Sequence, residues 1–218
     1  MKSGGTKSKR MQVLIACESS GAVRDAFIGG GHDAMSCDLL PTEVPGPHYQ
    51  GDVRDVIDYP WDLLIAHPPC THISVSGARH FEAKRLDGRQ QSGVSFFLAL
   101  IRWSEHIPRV AVENPVSIMS SLYRQPDQII QPYEFGEDAS KSTCLWLRGL
   151  PLLRPTAFAM PRAVGGDVDM FGMPAIPRWS NQTDGGDNKL PPSPGRWKER
   201  SRTYPGVAQA MATQWGGL

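Results

Sequence analysis

The chain of 218 residues has few of the features that mark membrane proteins or strongly basic nucleic-acid binders. No apolar run approaches the roughly 18 residues that a membrane-spanning helix needs, so no membrane partner is expected. The 23 basic and 22 acidic residues leave a net charge of +1, which excludes a strongly basic binder but allows a local basic patch. The chain also has no internal repeat. A content of 40% hydrophobic and 21% charged residues is typical of a globular domain with an ordinary core.

Cysteine is scarce, and its four copies are scattered along the chain at positions 17, 37, 70 and 144. The absence of a CxxC motif and of any Cys/His pairing predicts that the protein binds no metal. Scattered, unpaired thiols are typical of a reducing compartment, so a cytoplasmic location is expected. The first residues are basic and lack an apolar stretch, which predicts a disordered tail over residues 1–10 rather than a secretory signal.

The alternation of apolar and helix-forming segments predicts an α/β fold, namely a doubly wound Rossmann-like sheet. Strands are predicted at residues 11–17, 33–37, 51–53, 62–66, 109–112, 128–131 and 143–147, and helices at 21–30, 89–106 and 207–215. This pattern places one catalytic domain over residues 11–150. Residues 151–195 are rich in proline, glycine and aspartate and predict a short loop-rich region.

The last segment, residues 196–218, combines a basic stretch with a closing helix that is expected to pack back on the catalytic domain. The basic side chains are Arg196, Lys198, Arg200 and Arg202. These cations either bind phosphate or form a solvated surface, and the sequence favours neither alternative. The oligomeric state is open, with a monomer favoured.

The most informative segment runs from a buried strand into Pro68, Pro69 and Cys70. Prolines cannot continue a strand ladder, so they would fix the cysteine at the carboxyl end of the strand, where open α/β sheets bind ligands. A second strand ends in Glu113 and Asn114. A thiol and a carboxylate at two strand ends predict one active site. The alternative is an inert buried thiol and a carboxylate that caps the next helix.

The first strand ends in a turn of small residues, 16–21, that leads into a helix but lacks the GxGxxG pattern of a dinucleotide site. Asp38 follows the second strand, where such folds place a ribose-binding carboxylate. Asp52 and Val53 come next, and they would bind an adenine amino group and pack on the ring. Together these residues predict a nucleoside-bearing cofactor without a phosphate requirement, S-adenosyl-L-methionine. Taken singly, each acid is equally a surface residue.

In this order, the motifs resemble those of the DNA (cytosine-5) methyltransferases. The turn 16–21, the acids at 38 and 52, the Pro-Pro-Cys step with its continuation over 73–77, and the stretch 96–114 that ends in Glu-Asn match the family's motifs in sequence. The resemblance covers about residues 12–147. The chain is also similar to small phage-type members, which implies a place in the host cytoplasm and a link to restriction–modification.

The resemblance implies methyl transfer from S-adenosyl-L-methionine to carbon 5 of cytosine through a covalent cysteine adduct. The DNA partner would present a flipped cytosine or a single strand. The residues implied for catalysis are Cys70, Glu113, Asn114 and Lys141. The residues implied for cofactor binding are Cys17, Glu18, Ser19, Ser20, Gly21, Asp38, Asp52, Val53 and Pro68.

The chain departs from the family pattern at the base-binding arginines, where Lys141 and Thr143 stand instead. Lysine and threonine donate hydrogen bonds but cannot form a guanidinium fork. The region that would read a DNA site, residues 151–195, is also short. Two alternatives therefore stay open: a cytosine-modifying relative that acts on a free nucleotide or RNA, and a catalytically silent nucleic-acid-binding protein with an anti-restriction or regulatory role.

Overall fold

The computed structural model describes residues 9–168, 174–193 and 195–218, so most of the predicted basic tail lies outside the described residues. The centre of the fold is a seven-stranded sheet in the order β3-β2-β1-β4-β5-β7-β6. Its strands are β1 (Gln12–Ala16), β2 (Asp33–Asp38), β3 (His48–Gln50), β4 (Leu63–Ala66), β5 (Arg109–Pro115), β6 (Gln128–Ile130) and β7 (Thr143–Arg148). The first five pair in parallel, and β7 runs antiparallel to β5 and β6.

Helices cover both faces of the sheet, so the predicted doubly wound α/β class is confirmed. They are α1 (Ala22–Gly29), α2 (Phe81–Leu86), α3 (Arg89–Trp103), α4 (Met119–Leu122), α5 (Arg196–Ser201) and α6 (Pro205–Trp215). No helix in the described part of the chain has the length and hydropathy to span a membrane.

Two apolar clusters, one on each face of the sheet, form the core. On one face, Phe27 of α1 packs with Met211 and Trp215 of α6 against the odd-numbered positions of β1. On the other face, Phe97 and Leu100 of α3 cover the even-numbered positions. Every residue of β4 is buried, because a parallel strand in the middle of a covered sheet has no polar face. This burial fixes the strand ends on which the site is built.

The third strand differs from the prediction. It spans His48–Gln50, and the predicted strand residues 51–53 instead lead into a single 3₁₀ turn over Val53–Asp55. The carboxylate of Asp52 accepts a hydrogen bond from the Arg54 backbone N–H at 2.9 Å and caps this turn. An aspartate that binds the backbone two residues on stops a strand and starts a turn.

The region 151–195 contains more regular structure than its composition predicts. Two strands, β8 (Arg162–Val168) and β9 (Pro174–Arg178), pair antiparallel in a separate two-stranded sheet. Residues 169–173 and 194 of this region lie outside the described residues. The hairpin escaped prediction because its strands carry glycine and proline, which strand patterns normally exclude.

Candidate active site

The carboxyl ends of the parallel strands meet at one edge of the sheet and bring the predicted site residues together. Ala16 lies opposite both Cys37 and Ala66, and Ala66 lies opposite Val112. The residues that follow these positions therefore form a row along the edge: Cys17, Asp38, His67 and Glu113. This is the edge at which doubly wound sheets bind their ligands.

Three hydrogen bonds fix the turn that carries Cys70. The backbone N–H of His67 donates to the carbonyl of Ala16 at 2.9 Å, which extends the ladder by one residue. The side-chain amide of Asn114 donates to the carbonyl of Pro68 at 2.8 Å. The carbonyl of Cys70 itself accepts from the Ser74 backbone N–H at 2.9 Å. The half-buried thiol is thus held on a turn that β5 anchors through Asn114.

Glu113 forms a buried pair with His67, a residue that the sequence reasoning did not single out. His67 Nδ1 and Glu113 Oε2 lie 2.9 Å apart, and both side chains are more than nine-tenths buried. An ionised carboxylate only accepts hydrogen bonds, so Nδ1 carries the proton. The signal in the sequence was the histidine directly before the Pro-Pro-Cys step, at the first position after a buried strand.

Opposing charges set the ionisation of this cluster. Burial raises the pKa of the Glu113 carboxyl, but the Lys141 ammonium and the His67 hydrogen bond outweigh it, so that the pKa lies below its usual value. Burial and the Glu113 carboxylate raise the pKa of the Cys70 thiol, and Lys141 and Arg200 offset part of this shift. At neutral pH Glu113 is therefore an anion, and the resting thiol keeps its proton.

Lys141 and Thr143 line a small cavity together with Glu113. Its other wall comes from Thr203 and Tyr204, just before α6. The cavity therefore joins a carboxylate, an ammonium and hydroxyl groups from three parts of the chain, and it is closed on its remaining sides by apolar side chains such as Ile130, Val207 and Met211.

The turn between β1 and α1 carries a carboxylate, Glu18, that binds the first backbone amides of the helix. Glu18 is 5% exposed, and its Oε1 accepts from the Val23 backbone N–H at 2.8 Å and from the Ser20 hydroxyl at 3.1 Å. The first amide groups of a helix are where α/β folds bind phosphate. Here the chain itself supplies the anion, so the turn fits a cofactor that brings no phosphate to this helix.

The rest of this turn is shaped by backbone conformation. Cys17 has φ of 59° and Gly21 has φ of 77°, both in the left-handed region. A Cβ at Gly21 would lie 2.5 Å from the Arg24 guanidinium, so glycine is required for space as well as for conformation. The Ser19 carbonyl accepts from the Glu43 backbone N–H at 2.8 Å, which ties the turn to the loop after β2.

The two acids predicted to bind the nucleoside have different surroundings. One oxygen of Asp38 accepts from the Leu40 backbone N–H at 2.9 Å, and no described residue donates to the other. Both oxygens of Asp52, in contrast, accept hydrogen bonds from the side chain of Arg54. Val53 is 5% exposed and packs in the core. Asp38 is therefore available to a ligand, whereas Asp52 must share its carboxylate with Arg54.

The other three cysteines are less suited than Cys70 to act as nucleophiles. Burial, with Asp38 and neighbouring acidic groups, raises the pKa of the Cys17 thiol far above its ordinary value. The same causes raise the pKa of Cys37 to about 12, and burial with Glu113 raises that of Cys144 to about 11. Thiols with such pKa values form almost no thiolate near neutral pH.

The basic segment 196–202 is partly neutralised within the protein. Lys198 Nζ lies 3.0 Å from Glu43 Oε1, and Arg202 pairs with the same carboxylate. Two of the four cations predicted to grip phosphate are thus committed to Glu43. Arg200 is exposed and has no acidic partner within the described residues, and its charge offsets a small part of the rise in the pKa of the Cys70 thiol.

A wider groove lies at the opposite edge of the sheet, lined by Gln12, Asp33, Tyr59 and Trp61 among others. It contains none of the predicted site residues. The groove contacts the amino ends of the strands, where doubly wound sheets do not place their ligands. No group of three His, Cys, Asp or Glu side chains suited to a metal occurs in the described part of the chain.

No family model matches the chain, and no curated protein matches it. Among solved structures, the chain is similar to the Entamoeba histolytica methyltransferase EhMeth, with 13% identity and a TM-score of 0.47, over 70% of this chain and 58% of that one. It is similar to the S. pombe Dnmt2 methyltransferase, with 13% identity and a TM-score of 0.37, over 66% and 50%. A Spodoptera frugiperda DNMT2 mutant gives 14% identity and a TM-score of 0.40, over 73% and 60%.

The chain spans between 50% and 60% of the length of these three structures. All three TM-scores lie below 0.5. The fold is therefore assigned from the strand order and the covered sheet, and the chemistry from the residues at the sheet edge.

Proposed function

We propose that the protein transfers a methyl group from S-adenosyl-L-methionine to carbon 5 of cytosine in DNA, with Cys70 as the nucleophile. The observation that carries this proposal is the turn that holds Cys70 beside the buried Glu113 at the carboxyl edge of the sheet. A thiol and a carboxylate in one site are the two groups that activation of a cytosine ring requires.

The ring chemistry assigns a role to each of these groups. Cytosine is too electron-poor at carbon 5 to accept a methyl group directly. After the thiol loses its proton to water, Cys70 Sγ adds to carbon 6, and the electron density moves towards ring nitrogen 3 and carbon 5. Glu113 faces nitrogen 3 and stabilises the charge there by a shared proton. Once carbon 5 carries the methyl group, its proton leaves, the bond to Cys70 Sγ breaks and the thiolate is regenerated.

Asn114 and Lys141 support this step without reacting. Asn114 holds the Cys70 turn through the Pro68 carbonyl, so it sets where the sulfur points. Lys141 lines the cavity beside Glu113 and would donate to the carbonyl oxygen of the base. A duplex base cannot reach this edge of the sheet, so the cytosine must be flipped out or single-stranded.

The residues along β1 and β2 fit a cofactor that carries adenosine. S-adenosyl-L-methionine supplies an electrophilic methyl group when it is bound. Glu18 already occupies the helix terminus that a phosphate would need, and Asp38 offers one oxygen to a ribose hydroxyl. Cys17, Ser19, Ser20 and Gly21 shape the turn, and we assign Asp52, Val53 and Pro68 to the same cofactor site from their order in the sequence. A cofactor without phosphate matches this arrangement better than a dinucleotide.

Methyl transfer from radiolabelled S-adenosyl-L-methionine tests the proposal. The substrates are unmethylated bacterial genomic DNA, the same DNA denatured, bulk RNA and dCMP, and the variants are Cys70→Ser and Cys144→Ser. We expect label in DNA at carbon 5 of cytosine, lost with Cys70→Ser and kept with Cys144→Ser. Label in RNA or dCMP but not in DNA would contradict the proposed substrate and would identify the labelled molecule as the substrate. DNA binding without label in any substrate would favour the silent binding protein.

A further inference from the structure

His67 lies at the centre of the proposed site, yet the chemistry described for Cys70 and Glu113 leaves it without a role. It follows β4 directly, and its backbone N–H continues the ladder to the Ala16 carbonyl. The backbone hydrogen bond therefore fixes the residue at the edge of the sheet, and the contact with Glu113 fixes the orientation of its ring. Cys70 lies three residues further along the chain.

The ring of His67 is costly as a packing residue. Its Nε2 atom is buried, and no described residue forms a hydrogen bond with it. A buried polar atom without a partner destabilises a fold by about 1–3 kcal/mol. A hydroxyl could bind Glu113 at less cost, because it would leave no second polar atom without a partner. What distinguishes an imidazole from other donors at this position is its second ring nitrogen, which lets the ring pass a proton on to a neighbour.

Glu113 alone is badly suited to give a proton to the cytosine ring. Lys141 and His67 keep it ionised, so it holds no proton when the base arrives. Addition of a thiolate to carbon 6 nevertheless places negative charge on ring nitrogen 3, which must be neutralised there. A group that touches Glu113 can supply this proton without a change in position. The 2.9 Å contact from His67 Nδ1 is the one that the described residues provide on the carboxylate.

We propose that His67 supplies this proton through Glu113, so that the two side chains act as one acid–base unit. This inference rests on the proposed function. As the Cys70 Sγ to carbon 6 bond forms, the Nδ1 proton of a cationic His67 passes to Glu113, and the resulting carboxylic acid gives it to ring nitrogen 3. His67 is left neutral, with its remaining proton on Nε2. When the thiolate leaves, nitrogen 3 returns the proton by the same route, and the carbon 5 proton is released to solvent.

The charges around the pair bear on its pH dependence. Glu113 of β5 contacts the ring directly, and Lys141, from the segment before β7, lines the cavity beside Glu113. The titratable Cys70 thiol follows three residues after His67, and the charge of Arg200 of α5 acts on that thiol. Because the reaction needs a Cys70 thiolate and a cationic His67 together, its rate should rise with pH through the thiol and fall when the ring loses its proton.

The test combines a pH profile of kcat with an independent measurement of the ring. His67→Gln keeps a donor to Glu113 but has no proton acidic enough to transfer, so kcat should fall about 100-fold or more while KM changes little. Its profile should also lose the alkaline decline seen in the wild type. His72→Gln, a change two residues beyond Cys70 and away from Glu113, should leave the profile unchanged.

Nitrogen-15 NMR of the histidine rings gives a readout that does not depend on activity. The His67 signals are identified by their loss in His67→Gln. In the wild type they should show a cationic ring at acidic pH, and Glu113→Gln should move the titration midpoint to lower pH. A ring that stays neutral across the active pH range, or a His67→Gln profile with the wild-type shape, would overturn the inference. Absence of methyl transfer by the wild type would instead refute the proposed function.

Discussion

Asn114 offers a sharp test of how the Cys70 turn is held. Its side chain is 1% exposed, and its amide donates at 2.8 Å to the buried carbonyl of Pro68. Its other polar atom, Oδ1, is buried and has no hydrogen-bond partner among the described residues. Asn114→Ala removes one buried hydrogen bond but also removes the unpartnered oxygen, so the free energy of unfolding should fall by only about 1–2 kcal/mol.

Asn114→Asp keeps the shape of the side chain but replaces the attractive contact with the Pro68 carbonyl by a repulsive one. A carboxylate oxygen then faces the Pro68 carbonyl in a buried site, next to the negatively charged Glu113. An unpaired buried charge of this kind should lower the free energy of unfolding by about 3 kcal/mol or more. Asn114→Asp should therefore be clearly less stable than Asn114→Ala, although it is the smaller change in volume.

The order of the two variants should depend on pH. Burial raises the pKa of the introduced carboxyl in the folded state above its value in the unfolded chain. The penalty is then complete above the folded-state pKa and disappears as the pH falls below the unfolded-state pKa of about 3.9. Below the folded-state value, the protonated carboxyl can donate to the Pro68 carbonyl again. The stability gap between the variants should therefore narrow steadily on acidification.

Urea unfolding of both variants between pH 5 and pH 8 measures these effects. The matched control is Asn181→Asp, because the Asn181 amide also donates at 2.8 Å to a carbonyl, that of Ser140, but is only half-buried. The control should cost less than Asn114→Asp, since water can reach its carboxylate. If Asn114→Asp were as stable as the wild type at pH 8, the described hydrogen bond would not anchor the turn.

Three further outcomes are expected. Glu113→Gln removes a negative charge beside the thiol, so Cys70 should alkylate faster with iodoacetamide while methyl transfer falls about 100-fold; slower alkylation would contradict the charge arrangement. Burial raises the pKa of Glu43, but its two cationic partners outweigh it and lower the pKa. The ionised Glu43 therefore holds α5 in place at pH values above the usual carboxyl pKa, and this contribution is lost as the pH falls through the lowered pKa of Glu43. Limited proteolysis should then cleave the chain faster near residues 196–201. Arg200→Ala should reduce the salt dependence of DNA binding by about one charge, and Lys198→Ala by less, because Lys198 is already paired.

The fold could be predicted because its determinants are local. The apolar runs of β1, β4 and β5 are continuous, as parallel strands covered on both faces must be. The third strand could not be placed, because it has only three residues and its register depends on β2 rather than on its own pattern. The hairpin of β8 and β9 likewise depends on pairing between segments that carry glycine and proline.

The place of the candidate site in the sheet could be predicted from the sequence, but the contacts within the site could not. The Pro-Pro-Cys step is readable because it follows a strand, and the Glu-Asn step because it ends an apolar run. The predicted strand over residues 109–112 was too short, since β5 continues through Glu113 and Asn114 to Pro115 by pairing with β7. The link between the two steps is not readable, since the His67 to Glu113 contact and the Asn114 to Pro68 contact each join residues 46 positions apart. The pairing of Glu43 with the basic segment was missed for the same reason. Charge counts in a sequence show which cations exist, and only the fold shows which are neutralised.

The most direct test of the central claim is covalent capture of the base by Cys70. DNA containing 5-fluorocytosine is incubated with the protein and S-adenosyl-L-methionine, and the product is digested and mapped by mass spectrometry. Fluorine cannot leave carbon 5 as a proton does, so the thioether bond at carbon 6 should persist. The account predicts one adduct, on the peptide that carries Cys70, and none with Cys70→Ser. A stable adduct on another cysteine, or methylation of ordinary cytosine by Cys70→Ser, would contradict it.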